Sequence, residues 1–483
     1  MSASRWAVIA LVLAASCKVG PDYEAPPPLP EEQPLPDQWH TAATIGLTEG
    51  ESNLQTWWTN LSDPKLDDLL QRAQLTNLNL QSAVARIVEA RAFVGVARGD
   101  RMPVVNTPVD VNLVRPSPAA VPDLPISGLT DSQALLSAGV DASWEIDVFG
   151  KFARSIESAE AGFDASVEDY RDVLVSLFAE VALAYVDVRQ FQKRIAFARE
   201  NITSQRESLQ LTRDRFDAGL TSALDVAQAE SNLGDTESTI PRFEQNLNFA
   251  LNRLAVLLAV PPGALHDELN EEIALPSIPA TIAVTIPADV MRQRPDIRAA
   301  ERSLASQTAL IGVATADLYP SFSLRGFFTF NWGNIGTSTG STWGIIPGFN
   351  WNLFDRNRIH SRIRVEEART QQAFLAYEQT VLIAFEDVEN SMIAYFKEQE
   401  RRDRLNEAVD AAQRSVDLVR TQYLAGLTNF QNVLDSQRSL FRFQDDLVAS
   451  EGLTVQNLIT LYRALGGGWD VEAAEVPEIS ENP

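Results

Sequence analysis

LTRDRFDAGLTSALDVAQAESNL (residues 211–233) and LVRTQYLAGLTNFQNVLDSQRSL (418–440) share eight identical positions, with Ala-Gly-Leu-Thr near the middle of each. GVARGDRMP (95–103) echoes GVATADLYP (312–320), and WEIDVFGK (144–151) echoes WNLFDRNR (351–358). These three matches keep a spacing of about 205 to 217 residues. An internal repeat fixes architecture before local detail does, so the chain is two tandem halves of one plan.

Upstream of each AGLT motif lies a stretch without Pro, from about Lys151 to Ala218 and from about Arg358 to Ala425. A continuous helix of that length would run about 100 Å. Leu174, Leu177, Val181, Ala184, Val188, Phe191, Ile195, Ala198 and Ile202 alternate in steps of three and four, the seam of a coiled coil. Leu405, Ala408, Ala412, Val416, Val419 and Tyr423 repeat the pattern in the second half. Gly219 and Gly426 supply the left-handed residue that ends a helix, and a second helix returns from each. The sequence thus predicts a helical hairpin in each half, with its tip at 218–222 and 425–429.

Before each long helix the apolar period changes. An amphipathic helix, roughly 64–101 and 288–317, ends at Pro103 and Pro320, and two alternating strands follow. They are predicted at about 104–115 and 135–147, then 321–332 and 342–354. One face of the last pair carries Phe322, Leu324, Phe328, Phe330 and Trp332, then Trp343, Ile345, Phe349, Trp351 and Leu353. Ser323, Arg325, Thr329 and Asn331 share the opposite face, with Phe327 as an exception. In the first half Leu136, Val140, Trp144 and Ile146 oppose Asp141, Glu145 and Asp147, and Val105, Val109, Val111 and Leu113 oppose Asn106 and Asp110. Each run is about 11 residues, the length a tilted strand needs to cross a bilayer. Trp144, Trp332, Trp343 and Trp351 are candidates for an interfacial aromatic girdle. The polar loops 116–133 and 333–341 would face outward. Four strands cannot close a barrel that leaves no edge unpaired. Several copies must share one, and two, three or four chains would supply eight, twelve or sixteen strands.

The N-terminus, MSASRWAVIALVLAASC, has one basic residue, an apolar run and small residues, the layout of an export signal. Residues 1–16 are read as that signal. Cys17, the only cysteine, resembles the acylated residue of a bacterial lipobox, and Lys18 after it favours an outer-membrane address. More than one acyl chain there would tether the protein stably. Residues 17–56, rich in Pro and acids at first, read as an extended strap along the outside of the body.

Composition narrows the function classes. With 40 basic and 65 acidic side chains among 483 residues, net charge −25, nucleic acid is not the expected partner. One cysteine excludes a disulfide framework, and His40, His266 and His360 have no metal-ligand spacing. No phosphate loop or nucleophile elbow is present, so neither an enzyme nor a cofactor is expected.

CKVGPDYEAP, WWTNLSDPKLDDLLQRAQLTNLNLQSAVARIVEARA (57–92), ESTIPRFEQNLNFALNRLAVLLAVPPGAL (237–265), RQRPDIRAAERSLASQTALIGVATADLYPSFSL (292–324) and LYRALGGGW (461–469) together resemble the TolC-like outer membrane factors of the NodT or OprM lipoprotein type. The resemblance implies a mainly α fold with transmembrane β. A homotrimer would form a twelve-stranded barrel, four strands per chain, continued by a long α-helical barrel. The chain would divide into a first repeat at 57–265, a linker at 266–287, a second repeat at 288–465 and a tail at 466–483. It implies a passive duct of a tripartite efflux system, lipid-anchored in the outer membrane and extending into the periplasm. The partners would be a periplasmic adaptor and a proton-driven inner-membrane pump. By similarity, Leu427, Gln431 and Asp435, at i, i+4 and i+8 on one helix face, point into the periplasmic entrance. A second acidic position of some relatives is Asn432 here. The two turns Ala218, Gly219, Leu220, Thr221 and Ala425, Gly426, Leu427, Thr428 would meet the adaptor. The same fold also serves one-step protein secretion, and a lipid-anchored periplasmic coiled-coil scaffold is the reading from a different class.

Overall fold

The computed structural model describes residues 18–27, 39–41, 54–114, 133–271, 273–279, 290, 293–333 and 339–469. The signal, Cys17, most of the loop 116–133 and most of 333–341 lie outside them. The described elements are α1 (Pro64–Thr76), α2 (Leu78–Asp100), β1 (Val104–Asn106), β2 (Val109–Val114), β3 (Gln133–Ile146), α3 (Lys151–Asp217), α4 (Ala223–Leu257), α5 (Pro295–Ala316), β4 (Ser321–Gly333), β5 (Gly340–Asn350), α6 (Arg356–Leu424) and α7 (Phe430–Ala464). The chain forms two compact units.

One unit takes in the described residues of Met1–Pro26, Arg86–Ser166 and Ala299–Tyr377, and so holds every strand named above. All pairings are antiparallel, in the order β1/β2, β3, β4, β5. Each repeat forms its own pair, and β3 joins them by pairing with β4 over twelve registered positions from Leu135↔Gly333 to Ile146↔Phe322. The first predicted strand, 104–115, is broken at Thr107–Pro108. Pro108 has no N–H to give to the ladder, but its carbonyl accepts from Gly139 N at 3.0 Å. The predicted strand 342–354 ends at Asn350, which leaves Trp351, Leu353 and Phe354 beyond it.

The other unit takes in the described residues of Pro27–Ala85, Val167–Arg298 and Glu378–Pro483. Its core is the predicted seam and what closes on it: Val181, Val188 and Ala198 have no exposed surface, and Leu174, Leu177, Ala184, Ile195 and Ile202 are buried. Trp57 stacks on Tyr462 with ring centroids 5.4 Å apart, and Phe178 meets Trp58 edge-on. The predicted helix 64–101 is two helices parted at Asn77. The Asn77 side chain accepts from Asn79 N and Leu80 N and donates to Leu257 O, so one residue caps a new helix and ties it to the end of α4. Of the predicted helix 288–317, the described helical run starts at Pro295, where a missing N–H costs nothing. The stretch read as a linker packs inward: Leu269 is buried, and Ser277 N donates to Leu61 O. Trp469, read as part of the tail, is buried with the Arg171 and Arg298 guanidinium groups against its ring.

Candidate functional site

The sheet presents two faces of opposite character, because its register keeps the alternation of every strand in phase. Rows such as Val140, Phe328 and Trp343, or Ile146, Phe322 and Phe349, run across one face. Much of this face is exposed in the chain, with Trp343 at 71% and Ile345 at 69%. Its other large members include Val105, Val109, Val111, Leu113, Leu136 and Trp332. Trp144 and Trp351 stand at the helix-proximal end, where each indole N–H donates to a carbonyl in the turn just past the preceding helix, Arg101 O at 3.0 Å and Leu318 O at 3.1 Å. Trp332 lies at the far end, against Phe330, and Trp343 two rows in from it. Such a patch is far beyond what a monomer leaves to water. The opposite face carries Asp110, Asn112, Ser137, Asp141, Ser143, Glu145, Ser323, Arg325, Thr329 and Asn331. Asp147 is not available to that face, because its two oxygens accept from Phe152 N and Ala153 N and cap α3.

In the same unit, residues 18–22 are seated rather than trailing. Arg154 is only 1% exposed and donates to Val19 O, Gly20 O and the Asp22 and Glu157 carboxylates. Val19 N bonds Phe149 O at 3.2 Å. A Cβ at Gly20 would sit 2.5 Å from Gly312 Cα, so only glycine permits this approach. Neither charge nor hydropathy marks Arg154 in the sequence; the backbone carbonyls that satisfy it come from a segment over 130 residues away.

The two hairpin tips belong to the other unit and share one geometry. Gly219 (φ 72°) and Gly426 (φ 73°) are left-handed, and Leu220 N and Leu427 N reach back to Arg215 O and Gln422 O, each at 2.8 Å. This is the Schellman closure, which needs glycine at the turn. Ser222 then caps α4 in a capping box with Asp225. Burial pulls the Asp225 pKa upward, but hydrogen bonds from Thr221 and Ser222 outweigh it and hold it below the ordinary carboxylate value. At the equivalent place Asn429 caps α7, and Asn432 donates to Thr428 Oγ1 at 2.8 Å. Asn432 therefore occupies the structural position of Asp225. Leu427 is 78% exposed, Gln431 and Asp435 are exposed, and Gln431 Nε2 donates to Asp435 Oδ1 at 2.9 Å. Gln431 and Asp435 thus share one open face of α7, whereas Leu427, predicted on the same helix face, lies in the turn before the helix begins at Phe430. The tips are joined by Arg215, which donates to Tyr423 O and lies 4.6 Å from the Tyr423 ring centroid.

A cavity of about 200 Å3 in this unit is lined by Asp172, Arg294, Asp296, Asp387 and Arg463. Buried Arg294 holds Asp296 through two bonds and reaches Asp387 and Ala464 O. Burial, and then the Asp296 charge, push the Asp172 carboxyl up from 3.8 to about 6 against the pull of Arg294. Among the described residues no group of His, Cys, Asp and Glu is placed to hold a metal, and no helix is long and apolar enough to cross a membrane.

Residues 69–260 and 286–467 match the outer membrane efflux protein family. The chain is 31% identical over 471 residues to nodulation protein T of Rhizobium leguminosarum bv. trifolii, covering 95% of this chain and 96% of that protein. It is 30% identical to the pyoverdine export outer membrane protein OpmQ of Pseudomonas aeruginosa, covering 95% of this chain and 96% of the relative. Among solved structures it resembles the outer-membrane channel OprN, with a TM-score of 0.84, 33% identity, and coverage of 94% of this chain and 100% of that one.

Proposed function

The chain belongs to the outer membrane efflux protein family, and we propose that it works as the outer-membrane channel of a tripartite efflux system, a passive duct for small molecules. The observation that carries this reading is the two-faced sheet with free edges. β3, β4 and β5 have 14, 13 and 11 residues, enough to span a bilayer. Their apolar face suits lipid and their polar face suits water. Within the chain the outer edges of β1/β2 and of β5 have no described partner. Unpaired backbone groups in hydrocarbon cost several kcal/mol each, so closure must come from further copies. Three chains with four strand positions each give twelve strands, and the trimer is the assembly we infer.

Cys17 is the acylation site in this reading, and the seated residues 18–22 hold the anchor at a fixed place on the strand-bearing unit. The tips at 218–221 and 425–428 are the surface offered to a periplasmic adaptor, and Leu427, Gln431 and Asp435 face the entrance. In this reading the duct itself is passive, and energy comes from a proton-driven inner-membrane pump. Small-molecule cargo is favoured over protein by the likeness to a pyoverdine-export protein.

The test is direct. Outer-membrane fractions should contain an oligomer that withstands sodium dodecyl sulfate when cold, collapses on boiling, incorporates palmitate and conducts ions in planar bilayers. Loss of the label in Cys17→Ser checks the anchor. Release of the protein by salt alone, without detergent, would overturn the channel.

A further inference from the structure

One row of residues crosses the polar face of the sheet through all four strand positions: Asn106 opposite Asp141, Asp141 opposite Phe327, and Phe327 opposite Gly344. Phe327 is the aromatic residue of β4 that breaks the polar alternation. The row explains how it is accommodated. A Cβ at residue 344 would lie 2.9 Å from Phe327 Cε1 and 3.1 Å from Cζ. The ring therefore leans across β5 into space that only glycine leaves open. Among the described residues no aromatic ring or guanidinium stacks on Phe327. On its other side, the Asn106 amide donates to one oxygen of Asp141 at 3.3 Å, and the second oxygen has no described hydrogen-bond partner. Arg325 lies one row away, opposite Ser143, and Asp110 and Glu145 share the face. The fixed charges described on it are thus three acids and one base.

From this juxtaposition we infer that the Asn106–Asp141–Phe327–Gly344 row is a binding subsite for lipophilic organic cations in transit. The inference rests on the reading of the polar face as the wall of a channel. The ring supplies an apolar and quadrupolar surface that attracts a cation. The neighbouring carboxylate supplies the countercharge, and the amide fixes which oxygen stays free. Three such rows would encircle the lumen in a trimer. Two weak, adjacent interactions suit a conduit, where a site must be favourable enough to enter and weak enough to leave.

Current blockade by tetraphenylphosphonium, measured on the full-length oligomer in planar bilayers, tests this. Tetramethylammonium serves as the cation without rings. Tetraphenylphosphonium is expected to block and tetramethylammonium to pass. Phe327→Ala should weaken blockade about three- to tenfold, and Asp141→Asn about threefold. Phe327→Tyr should retain it. Gly344→Ala keeps both the ring and the charge but displaces the ring, and should weaken blockade as Phe327→Ala does. Channels that conduct normally and are blocked equally in all variants, or a wild-type channel that tetraphenylphosphonium never blocks, would overturn the subsite. A wild-type oligomer that fails to conduct would instead overturn the channel reading beneath it.

Discussion

The two hairpins descend from one duplicated sequence and turn on the same glycine geometry, yet they are fastened differently. Three ion pairs join α3 to α4 towards the first tip, Arg199–Glu244, Arg206–Glu237 and Arg213–Glu230, at 3.4, 2.7 and 2.6 Å. Among the described residues no ion pair joins α6 to α7. There Ser415 and Ser436 meet at 3.3 Å beside an open groove of about 550 Å3 lined by Ala408, Ala412, Val419, Asp435 and Phe443. The contact is apolar, with Ala412, Val416 and Leu440 buried together and the Tyr423 and Phe430 rings 5.4 Å apart. α7 is instead tied to α3, through Lys193–Glu451 and Arg194–Asp445. Exposed pairs contribute little singly, but three along one seam resist sliding, and the apolar α6–α7 seam has no such ladder among the described residues. Duplication supplied two equal hairpins, and divergence made the first a strut and put the compliance in the second, where the candidate entrance residues lie.

The sharpest way to break this contrast is to fasten the second hairpin. Ser415→Cys with Ser436→Cys, oxidised in the periplasm, should cut export at least tenfold. Reductant should restore it, and a drug-accumulation assay reads both. Unchanged export in the oxidised protein would mean that α6 and α7 do not move apart. Asp435→Ala removes the carboxylate from the compliant hairpin and should raise single-channel conductance about two- to threefold, while Asp225→Ala at the matching place on the strut should leave conductance unchanged. A control lies in the cavity at Asp172, away from both tips. Because its carboxyl is raised to about 6, the folded chain holds that proton more tightly than the unfolded chain does. Its stabilisation is therefore fully present below about pH 4 and is lost as pH rises through 6. Asp172→Asn should flatten thermal stability across that window, with a gain at pH 7.5 of at most about 3 kcal/mol per chain. The smallest effect is expected on the strut itself. Arg206→Ala with Arg213→Ala should lower stability by no more than about 1 kcal/mol per pair in thermal melts.

Much of this was legible in the sequence, for reasons tied to particular residues. Gly219, Gly426 and the Pro-free runs dictate where the long helices end, and the three-four seam from Leu174 to Ile202 dictates which face is buried. The strand faces were legible because alternation survives pairing. What escaped is what depends on partners distant along the chain. The β3–β4 pairing joins the two repeats, and no local pattern encodes it. Arg154 looks like a solvated helix charge until Val19 and Gly20 are laid over it. Phe327 stood out as an irregularity, but its reason is the absence of a side chain at Gly344 on the next strand. Asn432 registered as a missing acid, whereas it bonds the same threonine position with the direction reversed: its amide donates to Thr428 Oγ1, where the Asp225 carboxylate accepts from Thr221 Oγ1.

The free outer edges of β5 and β1/β2 have a genetic consequence. They are different surfaces, so copies can join only head to tail, and a ring forms only when every member offers both. A chain lacking β5 but keeping β1 to β4 would still accept a neighbour on one side and end the ring on the other. Expressed beside the intact gene, it should poison mixed assemblies. With equal amounts of both chains and random mixing, only about one trimer in eight would be wholly intact, so the truncated allele should be dominant over wild type.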